Sequence, residues 1–173
     1  MLDAIRKRRS VRFYRDEPVT DEQIAEVLEA GFCAPSAHAG RPWHVVVVRE
    51  QAAKDTFASI HRWSKFIARV PVVLVVCVDR RKDDHFWHED ASAFLENVMI
   101  QASEMGLGTC WVGIRGLTEP GTDAEQIVRD ALGLPDYFGV SAMASVGVPA
   151  RYPGPHEPEL PEGRVHFETY KET

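Results

Sequence analysis

The sequence predicts one domain of helices packed on a sheet, trailed by an irregular arm. Three observations predict it. Residues 44–49 (HVVVVR) and 72–78 (VVLVVCV) are apolar, rich in valine and of buried-strand length. Apolar residues recur at helical spacing at Ile24, Val27, Leu28, Gly31 and Phe32, and again at Ala91, Phe94, Leu95, Val98, Met99, Ala102 and Met105. From Pro149 the composition changes, with five prolines between Pro149 and Pro161, which leaves little room for regular structure. The domain is read as residues 1–149 and the arm as 150–173.

In chain order, residues 2–7 suit a short helix and 11–15 an extended segment. Thr20 and Gln23 make a capping box for the first long helix, which stops before Pro35. Residues 34–43 are a loop by composition. After the strand at 44–49, residues 50–63 are expected to be helical. The strand at 72–78 runs into a charged turn at 79–84. His85, Phe86, Trp87 and His88 mark the start of the longest helix. That helix also carries Ala93 and Ile100 off its main stripe, so it is expected to be covered on two sides, by the sheet and by another subunit. Gly106 fits its C′ position. Residues 108–114 (GTCWVGI) and 141–148 (SAMASVGV) read as strands, and 123–132 as a helix ended by Gly133 and Pro135. Val165, Phe167 and Tyr170 offer the arm something apolar to bury.

The bulk numbers exclude several classes. At 173 residues the chain can build a real core. Its net charge of −6 argues against a general nucleic-acid binder. No apolar run reaches membrane-spanning length, and no secretory or transit pattern stands at the N-terminus. Three widely spaced cysteines, Cys33, Cys77 and Cys110, read as buried thiols in a reducing cytoplasm.

Against that acidic background, six of the ten residues from Arg6 to Arg15 are basic. Arg8, Ser10 and Arg12 alternate, so an extended segment places two guanidinium forks and a hydroxyl on one face, a receptor suited to a terminal phosphate. A solvated basic face is the plainer reading of the same residues. Other motifs point nowhere. Gly106-Leu107-Gly108 ends a helix and opens a strand, the reverse of a dinucleotide-binding turn. His85 and His88 match no metal pattern and no metal is expected, no nucleophile elbow exists, and Cys110 beside Trp111 reads as core.

Three blocks taken in order carry a resemblance: Arg8-Arg9-Ser10-Val11-Arg12-Phe13-Tyr14, then Ala34-Pro35-Ser36-Ala37 leading to Pro42-Trp43, then Asp90 through Asn97 to Gly106-Leu107-Gly108-Thr109-Cys110-Trp111-Val112-Gly113. Together they resemble the flavin-dependent nitroreductase family, of which this is a short member. The resemblance implies an α+β fold with a central, mainly antiparallel sheet flanked by helices, and a homodimer with FMN sites at the interface. It implies that Arg8, Ser10 and Arg12 hold the ribityl phosphate and that Pro35, Ser36 and Ala37 reach the flavin of the partner subunit. Lys65 falls near the pyrimidine edge of the ring. Gly113, Ile114, Arg115 and Gly116 form the backbone stretch near N5, and the arm at 150–173 wraps the partner. Two departures stand out. Ala39 and Arg41 occupy loop positions where the family commonly has Asn and Gln. The arm has Glu157 and Glu159 where a basic residue is usual, which leaves the phosphate to Arg164 or to Arg9 and Arg12.

The activity implied is FMN-dependent NAD(P)H oxidoreduction of nitroaromatic, quinone or similar planar small-molecule acceptors, with ping-pong hydride transfer through the flavin and no catalytic side chain. The same fold also serves flavin fragmentation, reductive dehalogenation and biosynthetic oxidation, and a non-catalytic flavin carrier is the reading from another class.

Overall fold

A computed structural model describes residues 1–82, 85–116, 118–119 and 122–172 of the chain. Its elements are α1 (Asp3–Lys7), α2 (Asp21–Phe32), β1 (Trp43–Val48), α3 (Gln51–Ser59), β2 (Val72–Asp79), α4 (Trp87–Glu104), β3 (Gly108–Gly113), β4 (Thr118–Glu119), β5 (Thr122–Asp123), α5 (Ala124–Leu132) and β6 (Phe138–Gly147). The main sheet runs in the order β1-β2-β6-β3, and every neighbouring pair is antiparallel. This is the α+β architecture expected, with helices on both faces of the sheet.

β2 explains why both faces are covered. All eight of its residues are buried. Val72, Leu74, Val76 and Val78 point to one face, where they pack with Ile24 and Val27 of α2 and Phe94, Leu95 and Val98 of α4. Val73, Val75 and Cys77 point to the other, against Phe57 of α3 and Val128 of α5. A strand with two apolar faces is stable only between two helical layers.

The caps follow the sequence. Thr20 accepts from the Gln23 amide and Gln23 returns the bond to the Thr20 amide, the predicted capping box. Gly106 takes φ 74°, and the Leu107 amide reaches back to the Ala102 carbonyl at 2.8 Å, closing α4. Gly31 lies where α2 crosses α4; a Cβ there would stand 2.5 Å from the Phe94 ring.

Three expectations need correction. The helix expected over 50–63 ends at Ser59. The buried Ser64 hydroxyl bonds to the carbonyls of Ala58 and His61 at 3.1 and 2.8 Å, which takes those acceptors from a continuing helix. The last strand begins earlier than expected, at Phe138. Cys33, read as buried, is exposed where α2 ends, while Cys77 and Cys110 are buried. In the arm, Val165, Phe167 and Tyr170 are 53%, 82% and 76% exposed on this chain. Positions 83 and 84 of the expected charged turn lie outside the described residues.

The first half of the arm is tied down. The Ala150 amide donates to Phe13 at 2.8 Å, Tyr152 Oη to the Lys7 carbonyl at 2.8 Å, and the His156 amide to the Arg6 carbonyl at 2.8 Å. Residues 149–156 therefore run antiparallel beside the basic N-terminal strip of the same chain. No helix among the described residues is long and apolar enough to cross a membrane.

Candidate functional site

The basic strip is held in extended form by the sheet. Ser10 makes a parallel bridge to Thr109 of β3, and the Val11 amide donates to the Thr109 carbonyl at 2.8 Å. Val11, 2% exposed, packs against Gly108, where a Cβ would meet the valine at 2.9 Å. With Val11 turned inward, alternation turns Ser10 and Arg12 the other way, and both are exposed. Arg8, Ser10 and Arg12 converge beside Cys110. Burial pushes the Cys110 thiol up, while Arg12, a hydrogen bond from Ser10 and Arg8 all pull the other way. Arg8 also reaches Glu96 of α4 at 3.6 Å.

Arg9 points elsewhere. Its guanidinium donates to the Gly154 carbonyl and so latches the arm to the strip. A cleft of about 460 Å³ opens on this second face, lined among others by Lys7, Arg9, Arg15, Leu107, Pro149 and Tyr152. Arg8 and Val11 line it too, whereas Ser10 and Arg12 do not, so the cleft holds only one of the three residues of the receptor read from the sequence.

Pro35, Ser36 and Ala37 attach to the opposite end of α4. The Ala37 amide donates to Asp90 Oδ1 at 2.8 Å, in the first turns of that helix, and Trp43 Nε1 donates to the Asp90 carbonyl at 2.9 Å. Asp90 and Glu96, which Arg8 reaches, are six residues apart on α4, about 9 Å at 1.5 Å per residue. Pro35–Ala37 and Arg8 thus attach to different turns of α4 within one chain. Arg41, one of the departures, has a local use: its amide donates to Ser36 Oγ at 3.0 Å and its guanidinium to the Phe32 carbonyl at 2.9 Å, satisfying the end of α2.

Gly113, Ile114, Arg115 and Gly116 lie at the far end of β3 from Ser10. Ser141 positions them. It is the extra residue of a β-bulge, skipped between the pairs Val76↔Ala142 and Cys77↔Val140. Its carbonyl accepts from the Ile114 amide at 3.0 Å and from the Arg115 amide at 3.1 Å. Ile114 is 1% exposed, so it is buried as a whole residue. Gly116 takes φ 70°, and Arg115 is exposed. His88 Nδ1 lies 3.4 Å from Ser141 Oγ, and burial, with Arg115 next, holds the ring down to about pKa 4. His85 instead packs its ring against Phe86, so the two histidines do different things. Lys65 is exposed at the head of the 3₁₀ turn Lys65–Arg69.

The Ser141 bulge, the Asp90 anchor and the Tyr14 contacts were not legible in the sequence. The one available signal was the run of small residues at 141–148, which says that something packs closely there without saying what.

A model of the nitroreductase family matches residues 5–63 and 58–148, and the chain belongs to that family. It is 31% identical to an FMN reductase [NAD(P)H] of Bacillus subtilis, over 98% of this chain and 74% of that one. It is 31% identical to an NADH dehydrogenase of Thermus thermophilus, covering 92% of this chain and 91% of the other. An FMN-dependent nitroreductase from Clostridium difficile R20291 superposes with a TM-score of 0.92 at 29% identity, over 98% of this chain and all of that one.

Proposed function

We propose that this chain is an FMN-dependent NAD(P)H oxidoreductase of planar small-molecule acceptors such as nitroaromatics and quinones, acting as a homodimer in the cytoplasm. The gathering of Arg8, Ser10 and Arg12 around Cys110 carries the reading. Two cations and a hydroxyl on a segment braced by Val11 against Gly108 suit a phosphate dianion. From Thr109 at the strip to Gly113, β3 runs four residues, about 13 Å, a span comparable with a ribityl phosphate chain. The residues present therefore fit FMN.

When bound, FMN supplies the redox chemistry, taking hydride from NADH or NADPH at N5 and passing electrons to the acceptor. Arg8, Ser10 and Arg12 hold the phosphate end. Gly113–Gly116, pinned by the Ser141 carbonyl, offer backbone to the ring end. Arg115 and Lys65 bring positive charge there, which favours negative charge on the ring. Pro35, Ser36 and Ala37 complete the site from the second copy. The arm beyond residue 156 covers that second copy, and its exposed Val165, Phe167 and Tyr170 support this. Arg9, engaged with Gly154, keeps the arm in register.

The test is a visible spectrum of the purified protein, with and without added FMN, followed by anaerobic titration with each nicotinamide. A yellow protein bleached by NADH or NADPH is expected. Loss of a charge-assisted hydrogen bond in Arg12→Ala weakens FMN binding by about 10- to 100-fold. Protein that neither carries nor takes up FMN, or whose flavin stays oxidised, overturns the reading.

A further inference from the structure

A second basic cleft lies where the strip ends, beside the end of β1 and the start of β2. It measures about 310 Å³ and is lined among others by Arg15, Asp16, Gln51, Lys54, Arg69 and Val70. None of Arg8, Ser10, Arg12, Pro35–Ala37, Lys65 or Gly113–Gly116 lines it, so the flavin reading leaves it unused.

Lys54 is its central feature. This α3 residue is 8% exposed, and its ammonium donates to the Val70 carbonyl at 3.0 Å. Among the described residues it has no carboxylate partner. The carbonyl takes one of three N–H donors and supplies no counter-charge. Burying an ammonium short of an opposite charge is costly, and an anion in the cleft offsets that cost.

The frame around Lys54 is fixed. Gln51 Nε2 donates to the Ala68 carbonyl at 2.9 Å, tying the 3₁₀ turn Lys65–Arg69 to α3. That tie keeps the exposed Arg69 in the same cleft as Lys54. Arg15 enters from the strip, its amide on the Val148 carbonyl at 2.9 Å. Its guanidinium reaches Glu17 at 3.4 Å, with both side chains more than half exposed, so water screens that pair. Arg15, Lys54 and Arg69 stand against the one carboxylate of Asp16, and three against one leaves a surplus of two positive charges in the lining.

We propose that this cleft is a second anion site, separate from the one assigned to FMN, and that it takes a phosphate group. A dianion matches the surplus, whereas a single carboxylate leaves one positive charge over. The two guanidinium forks suit tetrahedral oxygens, and the Lys54 ammonium adds a point charge at the cleft wall. The free ion and a nucleoside monophosphate present the same group, and the experiment separates them.

The test is calorimetric titration of the protein with inorganic phosphate at saturating FMN, so that the Arg8, Ser10 and Arg12 face is already taken. Ionic strength is held constant with chloride, and flavin absorbance is followed. One phosphate per chain is expected to bind at about 1 mM with the flavin retained. Arg69→Gln, at an exposed position, is expected to weaken binding about tenfold, and Arg12→Ala to leave it unchanged. Lys54→Met keeps the apolar stem and is expected to abolish binding; should it fold poorly, Arg69→Gln decides alone. Adenosine monophosphate is titrated alongside. Tighter binding than inorganic phosphate identifies a nucleotide as the source, and weaker binding the free ion, with either lost in Arg69→Gln. The proposal is overturned if wild type binds no phosphate, if phosphate expels the flavin one for one, or if Arg12→Ala weakens binding while Arg69→Gln does not. The comparison of these two variants locates the phosphate with or without flavin, so failure of the flavin reading leaves this test intact.

Discussion

Tyr14 and Ser145 meet hydroxyl to hydroxyl at 2.6 Å, joining the basic strip to the sheet. Tyr14 also lies 2.6 Å from the Val11 carbonyl, which can only accept. The single phenolic proton therefore goes to Val11, and Ser145 donates to the phenol oxygen. Burial pushes the phenol well above the usual tyrosine range, so it stays neutral at any working pH. One side chain thus fixes both the path of the strip and its height above β6.

Tyr14→Phe leaves a buried carbonyl and a buried hydroxyl short of a partner, at a cost of about 1–2 kcal/mol. Urea unfolding of the FMN-loaded protein is expected to show that loss, and an FMN titration a weaker affinity. Unchanged affinity would show that the phosphate-binding face does not depend on the tyrosine.

The contact between Val11 and Gly108 predicts a coupled pair. Gly108→Ala drives a methyl to 2.9 Å from Val11 and costs about 1–3 kcal/mol while lifting the strip. Val11→Ala would leave Cβ at the same 2.9 Å, whereas adding Val11→Gly removes all three contacted atoms and is expected to restore part of the lost FMN binding. A double variant no better than the sum of its single changes goes against this.

Acid dependence has two separable parts. His88 sits at about pKa 4 against an ordinary 6.5, held down by burial, then by Arg115 and Arg80, against the pull of Glu89. Between those values the unfolded chain binds a proton that the folded one does not, so stability falls as pH drops from 6.5 to about 4. Asp79 is held at about 2 against an ordinary 3.8, chiefly by its hydrogen bond from Arg81. Its contribution is complete above 3.8 and is lost as pH falls toward 2. Thermal melts across this range are expected to show His88→Gln flattening the upper part of the decline and Asp79→Asn the lower part.

Ala39→Gly relieves a left-handed alanine at φ 53° and is expected to stabilise the protein by about 0.5–1 kcal/mol, after allowing for the freer unfolded chain. A higher melting temperature with FMN uptake retained is the expected result. A lower melting temperature would mean that the loop is not under strain at this residue.

Much of the fold was readable because it rests on local periodicity. The two-faced apolar run of β2, the stripe of α4, the Thr20 capping box and Gly106 each state their structure within a few residues. Arg8, Ser10 and Arg12 were readable for the same reason, since alternation alone puts them on one face. The end of α3 was not readable, because Ser64 reaches back to Ala58 from outside the helix.

The sequence by itself determined the elements, the inward turn of Val11 and the cationic face opposite it, because side-chain direction in a strand is set by period two. Only the tertiary structure decided which carbonyl holds Gly113–Gly116, which carboxylate anchors Ala37 and which rings gather on Phe86. Those contacts join Ile114 to Ser141, Ala37 to Asp90 and His38 to Phe86, pairs 27, 53 and 48 positions apart in the chain. No local pattern encodes such pairs, because packing brings them together only after the sheet and helices have formed.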